Sequence, residues 1–553
     1  MAKKLLSVLL CSCMAAGMLV GCGSADVKES TQVSSEVKQE SEVSTQAPSS
    51  EAVEEVVELE PVELKWWVVK SANSEDEDLV EAAVNEYLAE VLPNTTVDIS
   101  FFTTADEVEQ LNKALASGEG VDVAWFGWYH NLENMVSMGA MTEIDDLLAE
   151  YGQGVVETLG QEVIDMHRAS DGNAYFLPAW QGLGSNRYGI FVPQEYVDMM
   201  GDDWAKKTQE LMYKAYDMPF WEAEGQAVRM EVVAQWESLL ATLKDAGKLR
   251  NGVNMRNNPI DNMLGQYHLE DQTFANTYIR LVGDTYYVMG KYSLDGYQMP
   301  AYEVVSDWYA KGYIREDGDS YEWPGSNWAS LPEDQWFAFE LMDAYSDNAA
   351  AVQSATQGVE LACFYFRDEV ELANGFATGM FIPSTSENPD RAMMLLNEIY
   401  TNPTIHRLMT YGIEGTHYTL NDKGVVVPVD GSQYVGTFNW TIGTCEHSLP
   451  TSEAQIGYYA GLKEAEKTAK EYDLTGFTHV ASEETKVIRS NLTAAMAAYG
   501  TTMKMSYDEI LKLRTEARQV AIDNGYDKVV DEVVEQLTAY AAERGKKVEF
   551  LGY

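Results

Sequence analysis

The sequence has few basic residues and few cysteines, and both shortages narrow its function. Its 553 residues include 38 Lys and Arg against 88 Asp and Glu, which gives a formal net charge of -50. Because affinity for nucleic acid comes largely from Lys and Arg side chains that release counterions, no nucleic-acid partner is expected. Five cysteines are also too few for a disulfide-rich extracellular scaffold.

Recognised catalytic and metal-binding motifs are missing from the sequence as well. It contains no G-x-x-x-x-G-K-[ST] phosphate loop, no H-E-x-x-H, no G-x-S-x-G and no paired C-x-x-C. Its seven histidines are scattered without the spacing of metal ligands. The sequence therefore offers no catalytic residues, no metal site and no cofactor site, although missing motifs do not by themselves exclude an enzyme.

The N-terminus is typical of an exported lipoprotein. Residues 1–21 have a basic head and an apolar run that is shorter than the about 20 residues of a membrane-spanning helix. The run Leu19-Val20-Gly21-Cys22 matches a lipobox, in which Cys22 receives a diacylglycerol that anchors the chain. An ordinary secretory signal with an incidental Cys22 is the alternative.

Residues 22–60, which follow the signal, predict a disordered acidic tether. From residue 23 to 60 there are ten acidic and two basic residues and no aromatic residue. Such a stretch cannot bury enough apolar surface to offset its chain entropy. The remaining residues, 61–553, still carry a net charge of -44. Of their two cysteines, Cys363 and Cys445, the sequence leaves open a disulfide or two separate thiols.

The start of the folded body predicts an α/β architecture. Strands at 62–70, 96–101 and 121–126 alternate with helices at 78–92 and 106–117. This alternation is typical of a parallel sheet with helices on its faces, and such sheets bind ligands at the carboxyl ends of their strands. The length, above about 250 to 300 residues, indicates more than one lobe. An amphipathic run at 529–540 predicts a packing helix.

Several runs resemble a known class of transport protein. The runs DVAWF (122–126), MGAMTEIDDLL (138–148) and DGNAYFLPAW (171–180) look like those of family 1, maltose-binding-like extracellular solute-binding proteins of ABC importers. The runs MFIPSTSENPDRAM (380–393) and YGIEGTHY (411–418) resemble large Gram-positive lipoproteins that carry the DUF3502 domain, the LipO or LplA type.

The resemblance implies a type II periplasmic-binding-protein fold, with two lobes, a hinge and an interlobe cleft. Lobe one would comprise residues 61–186 and 360–384. Lobe two would comprise 187–359 and 385–553, including a DUF3502-like C-terminal region. The chain would cross between the lobes near 184–187, 360–366 and 382–386.

The resemblance also implies a function. The protein would be a monomeric receptor, lipid-anchored on the extracytoplasmic face of the cell membrane. It would capture a carbohydrate, specifically an oligosaccharide, and deliver it to an ABC permease pair with its ATPase. An extracellular carbohydrate-active enzyme, and a binding protein for peptides or another solute, remain the alternatives.

Aromatic residues are the main candidates for the ligand site, because an aromatic ring covers the apolar face of a pyranose. Some lie at or just beyond predicted strand ends, two flank a Pro/Gly loop, and Trp180 and Gln181 precede the implied hinge. The candidate ligand-binding residues are Trp66, Lys70, Trp125, Trp128, Tyr129, Trp180, Gln181, Trp323, Trp328 and Glu414. For each Trp the alternative is a place in the core. For Glu414 it is a loop that follows a glycine-capped helix end.

Overall fold

The computed structural model describes residues 59–553 apart from 71, 73, 170, 183–187, 256–258, 266–276, 318–327, 373–377, 472, 475–476 and 478. The predicted signal, the lipobox at Cys22 and the tether up to residue 58 therefore lie outside the described residues, as does Trp323. Within the described ranges, no helix combines the length and the apolar character that crossing a membrane requires.

The first elements follow the alternating order predicted from the sequence. They are β1 (Val62–Val69), α1 (Glu77–Val91), β2 (Thr95–Phe102), α2 (Thr104–Ser117) and β3 (Ala124–Phe126). β1 and β2 pair in parallel along their full length. Trp66 of β1 also bridges in parallel to Val123, just before β3. The predicted parallel arrangement is confirmed, and the structure places β1 between its two neighbours.

The hydrophobic pattern of these elements explains their packing. Val80, Val84 and Leu88 recur at intervals of four residues along α1, and all three are fully buried. They pack in one core with Leu64 and Trp66, which point to the same side of β1. The helix and the strand therefore bury matching apolar faces against each other.

Shorter elements follow along the chain. These are α3 (Leu132–Ser137), α4 (Asp145–Tyr151), α5 (Gln153–Leu159), α6 (Gln161–Asp165) and β4 (Phe176–Pro178).

The middle of the chain forms a second core, which includes the smaller apolar clusters beside it. Its elements are β5 (Tyr188–Pro193), α7 (Gln194–Met200), α8 (Asp202–Asp217), α9 (Ala223–Asp245), α10 (Pro259–Leu264), β6 (Thr277–Val282), β7 (Thr285–Gly290), α11 (Gln298–Ala310), β8 (Glu340–Asp343), α12 (Ala349–Gln357) and β9 (Leu361–Tyr365). β5 lies between β8 and β9 in an antiparallel sheet. The large buried side chains of Trp236 and Trp308 fill the space between that sheet and its helices.

The last elements divide between the two cores. They are β10 (Gly379–Phe381), α13 (Pro389–Thr401), α14 (Pro403–Tyr411), β11 (Tyr418–Leu420), β12 (Val426–Pro428), α15 (Tyr458–Glu466), α16 (Glu483–Met496), α17 (Tyr507–Asp523), α18 (Tyr526–Glu543) and β13 (Lys547–Gly552). β10 inserts antiparallel between β3 and β4, and β13 pairs in parallel with β7. In α18, Val529, Val533 and Leu537 are buried against β6 and β7, so the predicted packing helix is confirmed.

The packing groups the chain differently from the lobe boundaries expected from the sequence. The apolar face of α13, including Met393 and Ile399, belongs to the first core, although residues 385–553 were assigned to lobe two. β9 pairs with β5 in the second core, although 360–384 were assigned to lobe one. These placements depend on contacts between distant segments, which local sequence runs do not encode.

Within the described ranges, the chain passes from one core to the other between Trp180 and Ile190, between Phe366 and Met380, and between Leu462 and Leu474. The second and third of these connecting segments lie side by side. The N–H of Leu372 donates to the carbonyl of Lys470, whose own N–H donates to Val370, both at 2.8 Å. The Glu371 carboxylate pairs with Arg367 and Lys470. The expected crossing at 382–386 instead lies within the first core.

Cys363 and Cys445 are not joined by a disulfide. Cys363 lies on β9 in the second core, whereas Cys445 is buried in the first. Of the two alternatives left open by the sequence, the structure has the separate thiols.

Candidate functional site

The loop after β3 presents two aromatic side chains to solvent. The three residues of β3 are buried, but Trp128 and Tyr129 expose 49% and 55% of their surface. The Gly127 N–H donates to Nδ1 of His130 at 3.1 Å, and the His130 N–H donates back to the Gly127 carbonyl at 2.8 Å. A side chain at Gly127 would overlap the ring of Trp125, so glycine is needed for this close turn.

A distant segment completes an aromatic surface around Trp128. The ring of Trp440 lies 5.7 Å from that of Trp128, at an interplanar angle of 33°. Phe438 stacks on Trp440 at 5.0 Å, and Trp125 supports Trp128 from below with an edge contact at 5.3 Å. We call Trp128, Tyr129, Phe438 and Trp440 the aromatic patch. Such a surface fits the apolar face of a sugar ring.

Polar groups connect the aromatic patch to the segment after β4. The Gln181 side-chain amide donates to the hydroxyl of Thr378 at 3.1 Å, and that hydroxyl donates to the Trp440 carbonyl at 2.9 Å. The backbone of Trp180 runs beside residues 443–445 through two further hydrogen bonds. Gln181 is half-buried, and its side-chain carbonyl oxygen is of a type that can accept a hydrogen bond from a ligand hydroxyl.

Lys70 approaches the aromatic patch from the carboxyl end of β1. Its backbone bridges to Thr437, the residue before Phe438. Its ammonium group pairs with Glu77 at 2.7 Å, and both side chains are largely covered. The structure therefore brings Lys70, Trp125, Trp128, Tyr129 and Gln181 together, by contact or through backbone pairing, around the segment 437–440.

The other candidate residues lie elsewhere. Trp66, Trp180 and Trp328 are fully buried, which leaves no ring face open to a ligand in this conformation. The indole N–H of Trp180 donates to Glu466 at 3.0 Å, and that of Trp328 donates to Glu340 at 3.2 Å. The structure therefore places these three residues in the core, which was the alternative stated for each Trp.

Glu414 is exposed in the loop beyond α14. The helix ends at Gly412, whose φ of 80° favours glycine, and the Tyr411 hydroxyl beneath donates to the Leu449 carbonyl at 3.0 Å. This agrees with the glycine-capped helix end that the sequence offered as the alternative. The Glu414 backbone bridges to Tyr418.

A buried acid and histidine lie beneath the patch. The Glu107 carboxylate, which is fully buried, is 3.4 Å from Nε2 of His130. Burial raises the pKa of the Glu107 carboxyl, and contact with His130 opposes that rise. The His130 ring stacks on Phe126 and meets the edge of Trp125, so the pair supports the turn that carries Trp128.

Phe438 and Trp440 are not among the ligand-binding residues predicted from the sequence. The available signal was the run Gly436-Thr-Phe-Asn-Trp, in which two aromatic residues alternate with polar ones after a glycine. Among the described residues, no three or more His, Cys, Asp and Glu side chains are arranged to hold a metal ion. The surface geometry is therefore that of a stacking platform with a few polar neighbours.

Comparisons with solved structures identify the fold of the chain. No protein-family model matches the chain, and no curated protein matches it. Among solved structures, it is similar to the N-glycan transport solute binding protein NgtS from Streptococcus pneumoniae, with 16% identity, 88% of this chain and 100% of that chain covered, and a TM-score of 0.65. The complex of NgtS with Man5GlcNAc matches at 16% identity, 88% and 99% coverage, and a TM-score of 0.62.

The alginate-binding protein AlgQ2 without calcium ion is also similar, with 16% identity, 86% of this chain and 98% of that chain covered, and a TM-score of 0.55. At these identities the likeness establishes the fold alone. The chain is α/β and has the periplasmic-binding-protein fold of solute-binding proteins, so the fold class predicted from the sequence is confirmed.

Proposed function

We propose that this protein is an extracytoplasmic solute-binding receptor of an ABC importer, which captures an oligosaccharide at the aromatic patch. The observation that carries the proposal is the meeting of four aromatic side chains from segments about 310 residues apart. Exposed aromatic side chains in contact with one another are unusual on a protein surface without a binding role.

The chemistry of the patch suits a carbohydrate. Trp128 and Tyr129 offer broad, exposed ring faces, and the neighbouring Gln181 offers a carbonyl oxygen to a hydroxyl group. The similar solved structures include a protein of N-glycan transport and an alginate-binding protein, which supports a sugar as the ligand. Binding without catalysis is part of the proposal, and recovery of unchanged oligosaccharide after incubation is expected.

We extend the proposal to anchoring and delivery. Cys22 would carry the lipid, the acidic tether would hold the body away from the anionic membrane, and the monomeric receptor would hand its ligand to a permease pair with its ATPase. Closure of the two cores around the ligand would favour docking only through the ligand's differential affinity for the closed form. We also propose membership of the DUF3502-carrying LipO or LplA type.

Isothermal titration of the full chain tests the sugar assignment. Man5GlcNAc, an alginate oligosaccharide and a neutral maltooligosaccharide would be titrated into the protein purified in detergent. We expect at least one to bind, and Trp440→Ala to weaken that binding. Met138→Ala is the matched control, because Met138 is 68% exposed and lies outside the patch. Absence of binding by all three sugars, or equal binding by Trp440→Ala, contradicts the proposal.

A separate experiment tests the anchor. Wild-type cells and cells carrying Cys22→Ala would be labelled with radioactive palmitate and fractionated. We expect label and membrane association for the wild type and neither for the variant. Membrane association that survives Cys22→Ala would show that another part of the chain holds the protein there.

A further inference from the structure

The second core contains a cavity of about 580 Å³. It lies between the N-terminal half of α9, the start of α11, and the neighbouring strands β7 and β13. Its lining includes Trp221, Arg229, Asp295, Tyr297 and Glu303, and no residue of the aromatic patch. Its volume is within the range of about 300 to 1,000 Å³ typical of small-molecule sites.

One wall of the cavity is a fixed aromatic platform. Trp221 is half-buried and packs against Tyr287, with ring centroids 4.9 Å apart and an interplanar angle of 37°. Phe220 holds it from the side with an edge contact at 4.9 Å. Phe220 and Tyr297 are themselves buried. The platform therefore requires little reordering to receive an apolar side chain.

The lining also contains a buried cation, Arg229. Arg229 exposes only 3% of its surface, and its guanidinium donates to the carbonyls of Gly225 at 3.1 Å and Met218 at 2.7 Å. It forms no ion pair with any carboxylate in the described part of the chain, and these two are its hydrogen bonds there. Burial of a charge without an opposite charge is costly, so the site would gain from an anionic group.

Arg229 keeps its charge at neutral pH. Burial, followed by the nearby charge of Arg280, lowers the pKa of Arg229 to about 10. The guanidinium therefore remains protonated and still has N–H groups available for a carboxylate.

The mouth of the cavity has the opposite charge. Asp295 and Glu303 line the cavity and are exposed, so they lie nearer solvent than Arg229. A simple anion would be repelled by these carboxylates. A ligand with a carboxylate at one end and an ammonium group at the other matches both the buried guanidinium of Arg229 and the carboxylates at the mouth.

We infer that this cavity binds a short zwitterionic peptide with apolar side chains, independently of the sugar site. Its carboxylate would pair with Arg229, its ammonium group would lie toward Asp295 and Glu303, and an apolar side chain would pack on Trp221. This assigns the protein a second ligand class that the aromatic patch does not explain.

Three related peptides test the inference by titration calorimetry on the full chain. They are leucyl-phenylalanine, its C-terminal amide, which lacks the carboxylate, and its N-acetyl form, which lacks the ammonium group. We expect the free dipeptide to bind and each blocked form to bind at least about tenfold more weakly, since each leaves one charged group without its partner. Equal binding of all three, or absence of binding up to millimolar concentration, overturns the inference.

Variants locate the binding. Arg229→Gln is expected to weaken dipeptide binding at least about tenfold. Because a buried substitution can disturb folding, a double variant at exposed positions, Asp295→Asn with Glu303→Gln, is the second test. We expect it to lose several-fold affinity for the free dipeptide. Its affinity for the N-acetyl form should be unchanged. Dipeptide affinity unaffected by this double variant refutes the ammonium assignment and the inference with it. Trp128 lies outside the cavity, so Trp128→Ala should leave dipeptide binding unchanged. A loss of dipeptide binding in this variant would also overturn the inference.

Discussion

Replacement of Trp128 by alanine would measure how much the aromatic patch contributes to sugar binding. Trp128 exposes 49% of its surface. A tryptophan side chain presents up to about 250 Å², so about 120 Å² is open to a ligand. If a pyranose covers about half of that area, about 60 Å² leaves water, which contributes about 1.5 to 2 kcal/mol at about 25 to 30 cal/mol per Å². Trp128→Ala should therefore weaken oligosaccharide binding about 10- to 30-fold.

The same variant should remain folded. The covered half of Trp128 contacts Trp125, Tyr129 and Trp440 at the surface, so its loss lowers the free energy of unfolding by at most about 3 kcal/mol. Trp128→Phe keeps an aromatic face and should lose less affinity than Trp128→Ala. Calorimetric titration gives the affinity, and urea unfolding gives the stability. A folded Trp128→Ala protein with unchanged sugar affinity would refute the assignment of the patch.

Three further substitutions test the interpretation of buried groups. Trp180→Phe removes the indole N–H that donates to Glu466, so we expect the free energy of unfolding to fall by about 2 to 4 kcal/mol while sugar affinity stays unchanged; a selective loss of sugar affinity would place Trp180 at the ligand. Tyr400→Phe removes the buried hydroxyl that donates to the Leu177 carbonyl at 2.8 Å, and urea unfolding should show a loss of about 1 to 2 kcal/mol, whereas no loss would contradict that bond. Glu107→Gln tests the raised pKa of the Glu107 carboxyl: folding favours its protonated form, so its contribution to stability is present below its ordinary pKa of 4.5 and is lost as pH rises above it. The variant should therefore gain stability relative to the wild type between pH 4 and pH 7 in urea unfolding, and a constant difference would contradict the shift.

Local patterns were sufficient to predict the start of the fold. Predicted strands at 62–70 and 96–101 correspond to β1 and β2, and the predicted helix at 78–92 corresponds to α1. These elements are neighbours in sequence and bury regular apolar faces, so periodicity identifies them. The strand-end rule then located Trp128 and Tyr129 in an exposed loop.

Long-range pairing explains what the sequence could not predict. β10 enters between β3 and β4 from more than 200 residues away, and this insertion carries the following segments into the first core. Trp440 reaches Trp128 as a result, and nothing near either residue in sequence signals the contact. The burial of Trp66 and Trp328 was equally hidden, because an aromatic residue at a strand end or in a loop has the same local pattern whether it faces solvent or the core.

The net charge of -44 on residues 61–553 does not favour either of the two proposed ligands, the oligosaccharide or the peptide. At physiological ionic strength, charges on the surface are screened within about 8 Å, so each site is governed by the groups nearest to it. Near the aromatic patch, the ammonium of Lys70 is already paired with Glu77, which leaves stacking and hydrogen bonds as the main attractions. In the cavity, Arg229 has no such partner among the described residues. One acidic protein can therefore present a neutral-sugar surface in one core and a charge-complementary peptide site in the other.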